Sequence, residues 1–252
     1  MSIPRSTLGV GVVVPPANPV VEDEVRAFTG QSVRWHTARL PVIADPRLER
    51  RNAGYLAAIP EMAGCFGGMA LDGLYVACTG CHYGLAPEQD VELYRQASQA
   101  AGFPVRSATL LVGRALRELG ARRLHLVSPY EPWLTEQTVG YWERSGFAVD
   151  SVVHARRNGQ RSPYDVDARQ LCQEVERAGL PDDAVVVFSG TGVPCDEAMT
   201  ELTRGTRRTA LSANLCGAWW AATLTDGTGS GAHPLLDRLR AQLSARGISA
   251  AG

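Results

Sequence analysis

Two short segments of this chain share one design, in which an apolar run ends in a turn of small residues. They are residues 74–80 (LYVACTG) and residues 186–192 (VVFSGTG). Each apolar run predicts a buried strand, and each turn follows the carboxyl end of its strand. When the segments are aligned on their shared Thr-Gly pair, Cys78 lies opposite Gly190. Because open parallel sheets bind ligands at the carboxyl ends of their strands, the repeat predicts two related halves that face one cleft, with a thiol on one wall.

Strand-like and helix-like segments alternate along the rest of the chain. Apolar runs predict strands at residues 8–14, 74–77, 124–127, 149–153 and 184–188. Periodic segments predict helices at residues 20–28, 87–101, 108–119, 132–145, 167–178 and 196–204. This alternation is typical of an α/β fold, and with the repeat it predicts two pseudo-symmetric parallel-sheet halves with the active site in the cleft between them.

The predicted halves are not continuous in sequence. The polar turn that begins at Gly120 marks the start of the second half, residues 120–211. Two closing helices are predicted at residues 212–224 and 233–245. Because the second half already has its own set of elements, we expect these helices to return and pack on the first half. The first half therefore comprises residues 1–119 plus 212–252.

The composition excludes several classes of function. The net charge of −1 argues against nucleic-acid binding, and no apolar stretch reaches the about 20 residues of a membrane span. No signal-peptide pattern is visible, so we expect a cytoplasmic protein whose six cysteines stay reduced. All 25 basic residues are arginine, which excludes lysine Schiff bases, pyridoxal phosphate attachment and a Walker-type phosphate loop. Gly9 and Gly11 begin a dinucleotide-like pattern, but Pro15 and Pro16 stand where its helix would open. We expect neither a cofactor nor a metal.

Residues 78–82 read CTGCH, a pattern with more than one interpretation. It matches the C-x-x-C-H pattern of covalent haem attachment, which requires export. A thioredoxin-like dithiol would need a helix that begins between the cysteines, whereas Gly84 and Pro87 delay the next helix. A zinc site would need a second pair of ligands, and the other cysteines and histidines lack metal spacing. The favoured interpretation of Cys81 is a small buried residue.

Cys78 is the strongest candidate for a catalytic residue. At a strand end, the backbone amides of Thr79 and Gly80 create a local positive field that lowers a thiol pKa. The same amides can hold a carboxylate or a developing oxyanion. Cys195, near a predicted helix start, is the alternative position for a second thiol.

Polar residues at other strand ends complete the candidate site. Tyr130 follows the strand at 124–127, where its hydroxyl could donate to an anionic intermediate or its ring could pack under a loop. Asn18 and Asn214 each precede a predicted helix, so each is expected to cap that helix and to contact the substrate. Glu24 suits the first turn of its helix electrostatically and needs no further role.

Four motifs, in order along the chain, resemble those of maleate cis–trans isomerases and arylmalonate decarboxylases, in the aspartate/glutamate racemase superfamily. They are VVPPANPVVE at 13–22, ACTG at 77–80, SPY at 128–130, and SAN at 212–214 followed by Trp219. The resemblance implies two α/β halves around one active site, no cofactor or metal, and a homo-oligomer. Isomerases of this family use two cysteines, one per half, whereas its decarboxylases keep only the second. The first cysteine corresponds to Cys78, and Gly190 at the second position departs from both patterns.

The residues and the resemblance together predict a cofactor-free, cysteine-dependent cis–trans isomerase of a maleate-like small dicarboxylate. Cys78 is expected to add covalently to the substrate, with Tyr130 as the second catalytic residue. Substrate binding is assigned to Asn18, Thr79, Gly80, Gly190, Thr191, Gly192 and Asn214. One alternative is an arylmalonate-type decarboxylase in which Cys78 gives a proton to an enediolate. Another is a non-catalytic carboxylate-binding homologue. Thr191 or Cys195 could replace the missing second cysteine.

Overall fold

Two four-stranded parallel sheets form the framework of the protein. The computed structural model describes residues 8–157, 160, 163–224 and 233–245. The first sheet contains β1 (Leu8–Val14), β2 (Val33–Arg39), β3 (Gly73–Val76) and β4 (Val105–Ser107), in the spatial order β2-β1-β3-β4. The second contains β5 (Arg123–Ser128), β6 (Ala148–His154), β7 (Val185–Phe188) and β8 (Thr209–Ser212), in the order β6-β5-β7-β8. Neighbouring strands run parallel in both sheets, so the predicted α/β fold with two pseudo-symmetric halves is confirmed.

The internal repeat has a structural counterpart in strands β3 and β7. Each is the third strand of its half in the chain, and each lies third in the spatial order of its sheet. The segments 74–80 and 186–192 begin in these two strands and continue past their carboxyl ends. The apolar runs are buried, as a strand enclosed on both faces requires. The sequence repeat therefore reflects a duplicated position in the fold.

Helices cover the sheets. They are α1 (Val21–Thr29), α2 (Leu48–Ala58), α3 (Pro87–Ala101), α4 (Ala108–Glu118), α5 (Pro132–Arg144), α6 (Ala168–Arg177), α7 (Asp196–Thr203), α8 (Ala213–Thr223) and α9 (Pro234–Ser244). Short 3-10 helices occur at Ile59–Phe66 and Pro163–Asp165. All of the predicted helices are present, with bounds that differ by no more than one residue at either end.

Three strands and one α-helix were not predicted. Strand β2 (VRWHTAR) is rich in polar residues, because it lies at the edge of its sheet and only its first and third residues are buried. Strand β4 is only three residues long. Strand β8 begins at Thr209 and ends at Ser212, the residue at which a closing helix was predicted to begin. Helix α2 carries a weak apolar pattern, and Tyr55 is its buried residue.

Helix α8 follows the last strand of the second sheet but packs on the first half, between α1 and α4. Its contact with β3 is close because two glycines remove side chains from the interface. A Cβ at Gly217 would lie 2.6 Å from the Tyr75 ring, and a Cβ at Gly73 would lie 2.8 Å from the Trp220 ring. The Tyr75 hydroxyl donates to the carbonyl of Ala213 at 2.9 Å and fixes the first turn of the helix. The strand that precedes Cys78 is thereby held from behind.

We expect Gly217→Ala to destabilise the protein by about 1–2 kcal/mol, because the added methyl group overlaps a buried ring that cannot move freely. The gain in helix propensity, at most about 1 kcal/mol, offsets only part of this cost. Urea unfolding followed by circular dichroism measures the change. Gly64→Ala is the matched control, since a Cβ there meets nothing within 4 Å. Equal stability of the two variants would contradict the close packing of α8 on β3.

Candidate active site

A cavity of about 740 Å³ opens at the carboxyl ends of β3, β5 and β7. Both halves contribute to its wall. The predicted site residues that line it are Cys78, Thr79, Gly80, Tyr130, Gly190, Thr191 and Gly192. The duplicated strand ends therefore lie at one cavity, with the Cys78 turn on the wall from the first half and the Gly190 turn on the wall from the second.

Cys78 lies two residues beyond β3 and is 5% exposed, at the wall of the cavity. The thiol of Cys81 donates a hydrogen bond to Cys78 Sγ at 2.8 Å. This bond stabilises the Cys78 thiolate and, against the opposing effect of burial, lowers the pKa of Cys78 below its ordinary value. Burial, followed by the same hydrogen bond, raises the pKa of Cys81 well above its ordinary value. The pair therefore divides into an ionisable thiol at the cavity and a protonated thiol behind it.

Tyr130 reaches across the cavity to the first half. Its hydroxyl oxygen lies 2.8 Å from Thr79 Oγ1, and the two groups share a hydrogen bond. Burial raises the pKa of Tyr130 well above its ordinary value, so the phenol keeps its proton at neutral pH. A protonated phenol at the strand end next to a thiolate is suited to donate a hydrogen bond to an oxyanion.

The backbone at Gly190 is in the left-handed region, with φ of 90°. A Cβ at this position would lie 3.4 Å from the hydroxyl oxygen of Tyr130 and 3.0 Å from Pro129 Cγ. A side chain there would be strained and would need its neighbours to move. The backbone conformation at position 190 therefore favours glycine over cysteine. The Tyr130 hydroxyl lies beside the space that a side chain at this position would occupy.

Thr191 links the two halves below the cavity. Its hydroxyl donates to the backbone carbonyl of Ala77 at 2.9 Å, in the turn that carries Cys78. The same oxygen accepts a hydrogen bond from Asn18 Nδ2 at 3.1 Å. The backbone carbonyl of Thr191 accepts from Asn214 Nδ2 at 2.9 Å. Thr191 is buried, so its turn is held by groups of the first half rather than by solvent.

Asn18 and Asn214 lie behind the cavity wall and do not line it. Asn18 Oδ1 accepts from the amides of Val20 and Val21 at 3.0 and 3.1 Å, so this side chain binds the backbone at the start of α1, although the cap residue itself is Val20. The predicted cap role of Asn214 is wrong, because Ser212 is the cap of α8. Both asparagine side chains are buried and engaged with the chain itself. Their contacts support the Thr191 turn.

Glu24 is the carboxyl group among the residues that support the Thr191 turn. It accepts from Asn214 Nδ2 at 2.8 Å and from the backbone amide of Cys195 at 3.0 Å. Burial raises the pKa of Glu24 to about 7, although these hydrogen bonds act in the opposite direction. The prediction that Glu24 needs only a place in the first helical turn is therefore wrong. The Cys195 thiol faces the same carboxylate, away from the cavity wall, and burial raises its pKa well above the ordinary value.

Helix α2 forms a further wall of the cavity and brings residues that the sequence did not indicate. Arg51, Asn52 and Tyr55 line it, and Asn52 Nδ2 donates to the carbonyl of Gly80 at 3.2 Å. The guanidinium of Arg51 donates to the backbone carbonyl of Asp45 at 3.1 Å. That carbonyl carries no net charge, so this contact does not neutralise the guanidinium. The i, i+1 and i+4 spacing of these residues could have indicated a polar helix face, but the helix itself was missed.

Tyr164 lies against the turn of residues 190–192. A Cβ at Gly192 would overlap its ring, so only glycine allows this close approach. Burial raises the pKa of Tyr164, and the positive charge of Arg51 acts in the opposite direction. Arg51 and Tyr164 both line the cavity, so the charge of Arg51 acts within it. The cavity wall also includes the apolar side chains of Ile43, Leu48, Trp133 and Leu134.

Two absences concern the described part of the chain. Within it, no group of three or more histidine, cysteine, aspartate or glutamate residues is arranged to hold a metal ion. None of the helices in these described ranges is long and apolar enough to cross a membrane.

The chain is similar to several proteins of known name. A family model described as arylmalonate decarboxylase matches residues 10–233. A maleate isomerase from Nocardia farcinica is 30% identical over 150 residues, which are 56% of this chain and 59% of that relative. The match thus spans less than two thirds of the relative's length.

Solved structures share the fold. One is a cysteine-to-serine mutant of Nocardia farcinica maleate cis-trans isomerase with a covalently bound succinylcysteine intermediate. It superposes with a TM-score of 0.75 at 22% identity, covering 86% of this chain and 92% of that one. Another is a liganded mutant of arylmalonate decarboxylase in which cysteine replaces a glycine and serine replaces a cysteine. Its TM-score is 0.77 at 21% identity, covering 92% of this chain and 98% of that one.

We expect the stability of the protein to fall as the pH rises from about 4.5 to above 7, through the titration of Glu24. Its folded pKa of about 7 exceeds the ordinary value of 4.5, so the folded state holds a proton that the unfolded state has released. The stabilisation is complete below the unfolded pKa and is lost as the pH rises through the folded pKa. Its upper limit is about 3 kcal/mol.

Glu24→Gln removes this titration and should flatten the pH dependence of the unfolding free energy, measured in urea at intervals between pH 5 and 8. Asp23→Asn is the matched control, because Asp23 is exposed on the same helix and should leave the wild-type slope in place. A Glu24→Gln curve as steep as that of the wild type would contradict the assignment.

Proposed function

The chain belongs to the arylmalonate decarboxylase family, and on that premise we propose that it is a cofactor-free cis–trans isomerase of a maleate-like small dicarboxylate. The observation that carries the proposal is the placement of Cys78 in the cavity wall. Its thiol is hydrogen-bonded by Cys81, its pKa is lowered, and it faces a cavity built from strand ends of both halves. A thiolate so placed is a nucleophile suited to add to an activated double bond.

The substrate carboxylates are held by three kinds of donor. Backbone amides at the two turns form one set, with Thr79 and Gly80 on one wall and Thr191 and Gly192 on the other. The hydroxyl of Tyr130 forms the second. The guanidinium of Arg51 forms the third, because its donors are arranged to bind a carboxylate through two parallel hydrogen bonds. Asn18 and Asn214 act indirectly, by positioning the Thr191 turn.

The reaction begins when the Cys78 thiolate adds to one carbon of the double bond. A C–S bond forms, and the π electron pair moves through the neighbouring carbon onto its carboxylate, giving an enediolate. The phenol of Tyr130 and the turn amides stabilise this negative charge. The former double bond is now single, so its two carbons can rotate. The electron pair then returns, the C–S bond breaks, and the trans isomer leaves with the thiolate regenerated. The reaction needs no oxidant and no net proton transfer.

The similar proteins support the first step, the covalent addition. A relative from Nocardia farcinica is named maleate isomerase, and a solved structure of a maleate cis-trans isomerase from that organism carries a covalently bound succinylcysteine. Addition of a thiolate to maleate, followed by protonation of the neighbouring carbon, gives such a group. In this chain one thiol must suffice, since the thiol of Cys195 faces Glu24 instead. The Tyr130 hydroxyl, beside position 190, serves as the partner donor.

A second candidate function is decarboxylation of an aryl-substituted malonate, and the apolar part of the cavity favours it. The cavity volume of about 740 Å³ falls within the range of about 300–1,000 Å³ found for pockets of larger ligands. Trp133, Leu134 and Tyr164 lie in its wall and could pack on a ring. In that reaction, carbon dioxide leaves, the same donors stabilise the enediolate, and Cys78 supplies the proton.

Incubation of the purified protein with maleate or with phenylmalonate separates the candidates. Proton NMR shows fumarate formation in the first case, and release of carbon dioxide marks the second. Fumarate from maleate, together with an adduct on Cys78 by mass spectrometry, supports isomerisation. Carbon dioxide from phenylmalonate without fumarate formation supports decarboxylation. Saturable binding of either acid with no product would support a carboxylate-binding role and overturn both enzymatic proposals.

We expect Cys78→Ala to lower turnover by about a thousandfold or more, because the reaction loses its nucleophile. The fold should persist, since only one sulfur atom is removed at the wall of an open cavity. Cys65→Ala is the matched control, because that thiol is exposed and does not line the cavity. Activity of Cys78→Ala comparable to that of the control would exclude the thiol mechanism.

We expect Arg51→Gln to raise KM for a dicarboxylate about tenfold or more, while kcat changes less, because a charge-assisted contact to one carboxylate is lost. Arg50→Gln is the matched control. Arg50 is on the same helix and pairs with Asp45, but it does not line the cavity. Steady-state kinetics with maleate measures both constants. An unchanged KM in Arg51→Gln would remove this residue from the binding site.

A further inference from the structure

The CTGCH motif contains a pair of thiols whose second member does not itself contact the substrate in the proposed reaction. Cys81 is 2% exposed and lies behind Cys78, with the two sulfur atoms 2.8 Å apart. A disulfide bond is about 2.05 Å long, so a small movement of one side chain would bring the sulfurs to bonding distance. All six cysteines of the chain lie in its described part, and each is free. Cys78 is reached through the cavity, while Cys81 is not.

Cys81 also contacts a buried imidazole. His82 Nδ1 lies 3.3 Å from Cys81 Sγ, and His82 Nε2 lies 2.8 Å from the hydroxyl of Tyr94. Both His82 and Tyr94 are enclosed. Burial lowers the pKa of His82, so the ring is neutral at neutral pH and can take up a proton at one nitrogen. The thiol at the back of the pair therefore has an adjacent proton acceptor.

We infer that Cys78 and Cys81 form a site of reversible oxidation, in which a hydroperoxide that enters the cavity converts the two thiols into a disulfide. The inference rests on the contact between the two sulfur atoms, on the exposure of only one of them to the cavity, and on the imidazole beside the other. It is independent of the proposed isomerase activity, because the oxidation requires no dicarboxylate.

The oxidation proceeds in two steps. The Cys78 thiolate attacks one oxygen of the hydroperoxide, so that an S–O bond forms, the O–O bond breaks and an alcohol or water leaves after it gains a proton. Cys78 is now a sulfenic acid. Cys81 then attacks the Cys78 sulfur while its proton moves by way of His82 to the departing oxygen, so that the S–S bond forms as the S–O bond breaks. That oxygen leaves as water. Two thiols and one hydroperoxide give one disulfide, one alcohol or water, and one water.

The asymmetry of the pair fits these roles. A peroxide is attacked by the thiolate form, and the lowered pKa of Cys78 increases the fraction of that form at neutral pH. The raised pKa of Cys81 keeps the second thiol protonated, so its proton leaves only as the sulfur attacks. Because the resolving thiol is already in contact, the sulfenic acid is trapped before a second peroxide can oxidise it further.

The test is the response of the purified protein to hydrogen peroxide. In the wild type, we expect the mass to fall by two hydrogen atoms, a peptide map to link residues 78 and 81, and dithiothreitol to restore both thiols. In Cys81→Ser, which keeps a donor beside Cys78, we expect oxygen to add to Cys78 and dithiothreitol to restore the thiol only in part. Cys65→Ser is the matched control and should behave as the wild type does.

Two outcomes would overturn the inference. One is stable addition of oxygen to Cys78 in the wild type, with the Cys81 thiol still free to react with iodoacetamide after unfolding. The other is a loss of two hydrogen atoms in the wild type with no peptide that links residues 78 and 81. Circular dichroism of each variant establishes that it is folded before the treatment. Since mass is the readout, a protein that forms the disulfide but does not isomerise maleate would sustain this inference and overturn the proposed function.

Discussion

The hydrogen bond from Thr191 to the carbonyl of Ala77 sets the geometry of the cavity. It joins the turn after β7 to the turn after β3, and so fixes the two duplicated strand ends relative to one another. The bond is buried, and Asn18 and Asn214 donate to Thr191 from behind. In a low-dielectric interior, each of these polar groups would be costly if it lost its partner. The network therefore specifies one arrangement of the halves.

Glu24 completes this network at an energetic cost. Its carboxylate satisfies Asn214 and the amide of Cys195, and so connects α1 with the start of α7 and with α8. The burial that makes these bonds strong also disfavours the charge, which is why the pKa rises to about 7. Loss of Glu24 would leave Asn214 and the amide of Cys195 without this buried partner, which is costly. The support for the cavity is thus sensitive to pH although Glu24 itself does not line the cavity.

The sequence predicted the fold and the turns of the candidate site because both are local signals. An apolar run followed by Cys-Thr-Gly or Gly-Thr-Gly identifies a buried strand and its carboxyl end without any knowledge of tertiary contacts. Helix α2 was missed because its pattern is weakly amphipathic, and Arg51 was missed with it. Glu24 could not be distinguished from its exposed neighbour Asp23, since only packing decides which carboxylate of one helical turn is enclosed. The contact between Cys81 and Cys78 likewise depends on the conformation of a turn.

A single thiol opposite a phenol favours some reactions over others. Racemisation requires acids on both faces of one carbon that exchange protons with similar ease. Burial raises the pKa of Tyr130 well above that of Cys78, so full proton transfer from the phenol would be unfavourable. Donation of a hydrogen bond carries no such cost. The charge of an enediolate would be stabilised rather than neutralised, which leaves its electron pair available to expel the thiolate after rotation. Addition, rotation and elimination is thus the proposed sequence that makes the least demand on the missing second acid, and the left-handed Gly190 beside Tyr130 is compatible with it.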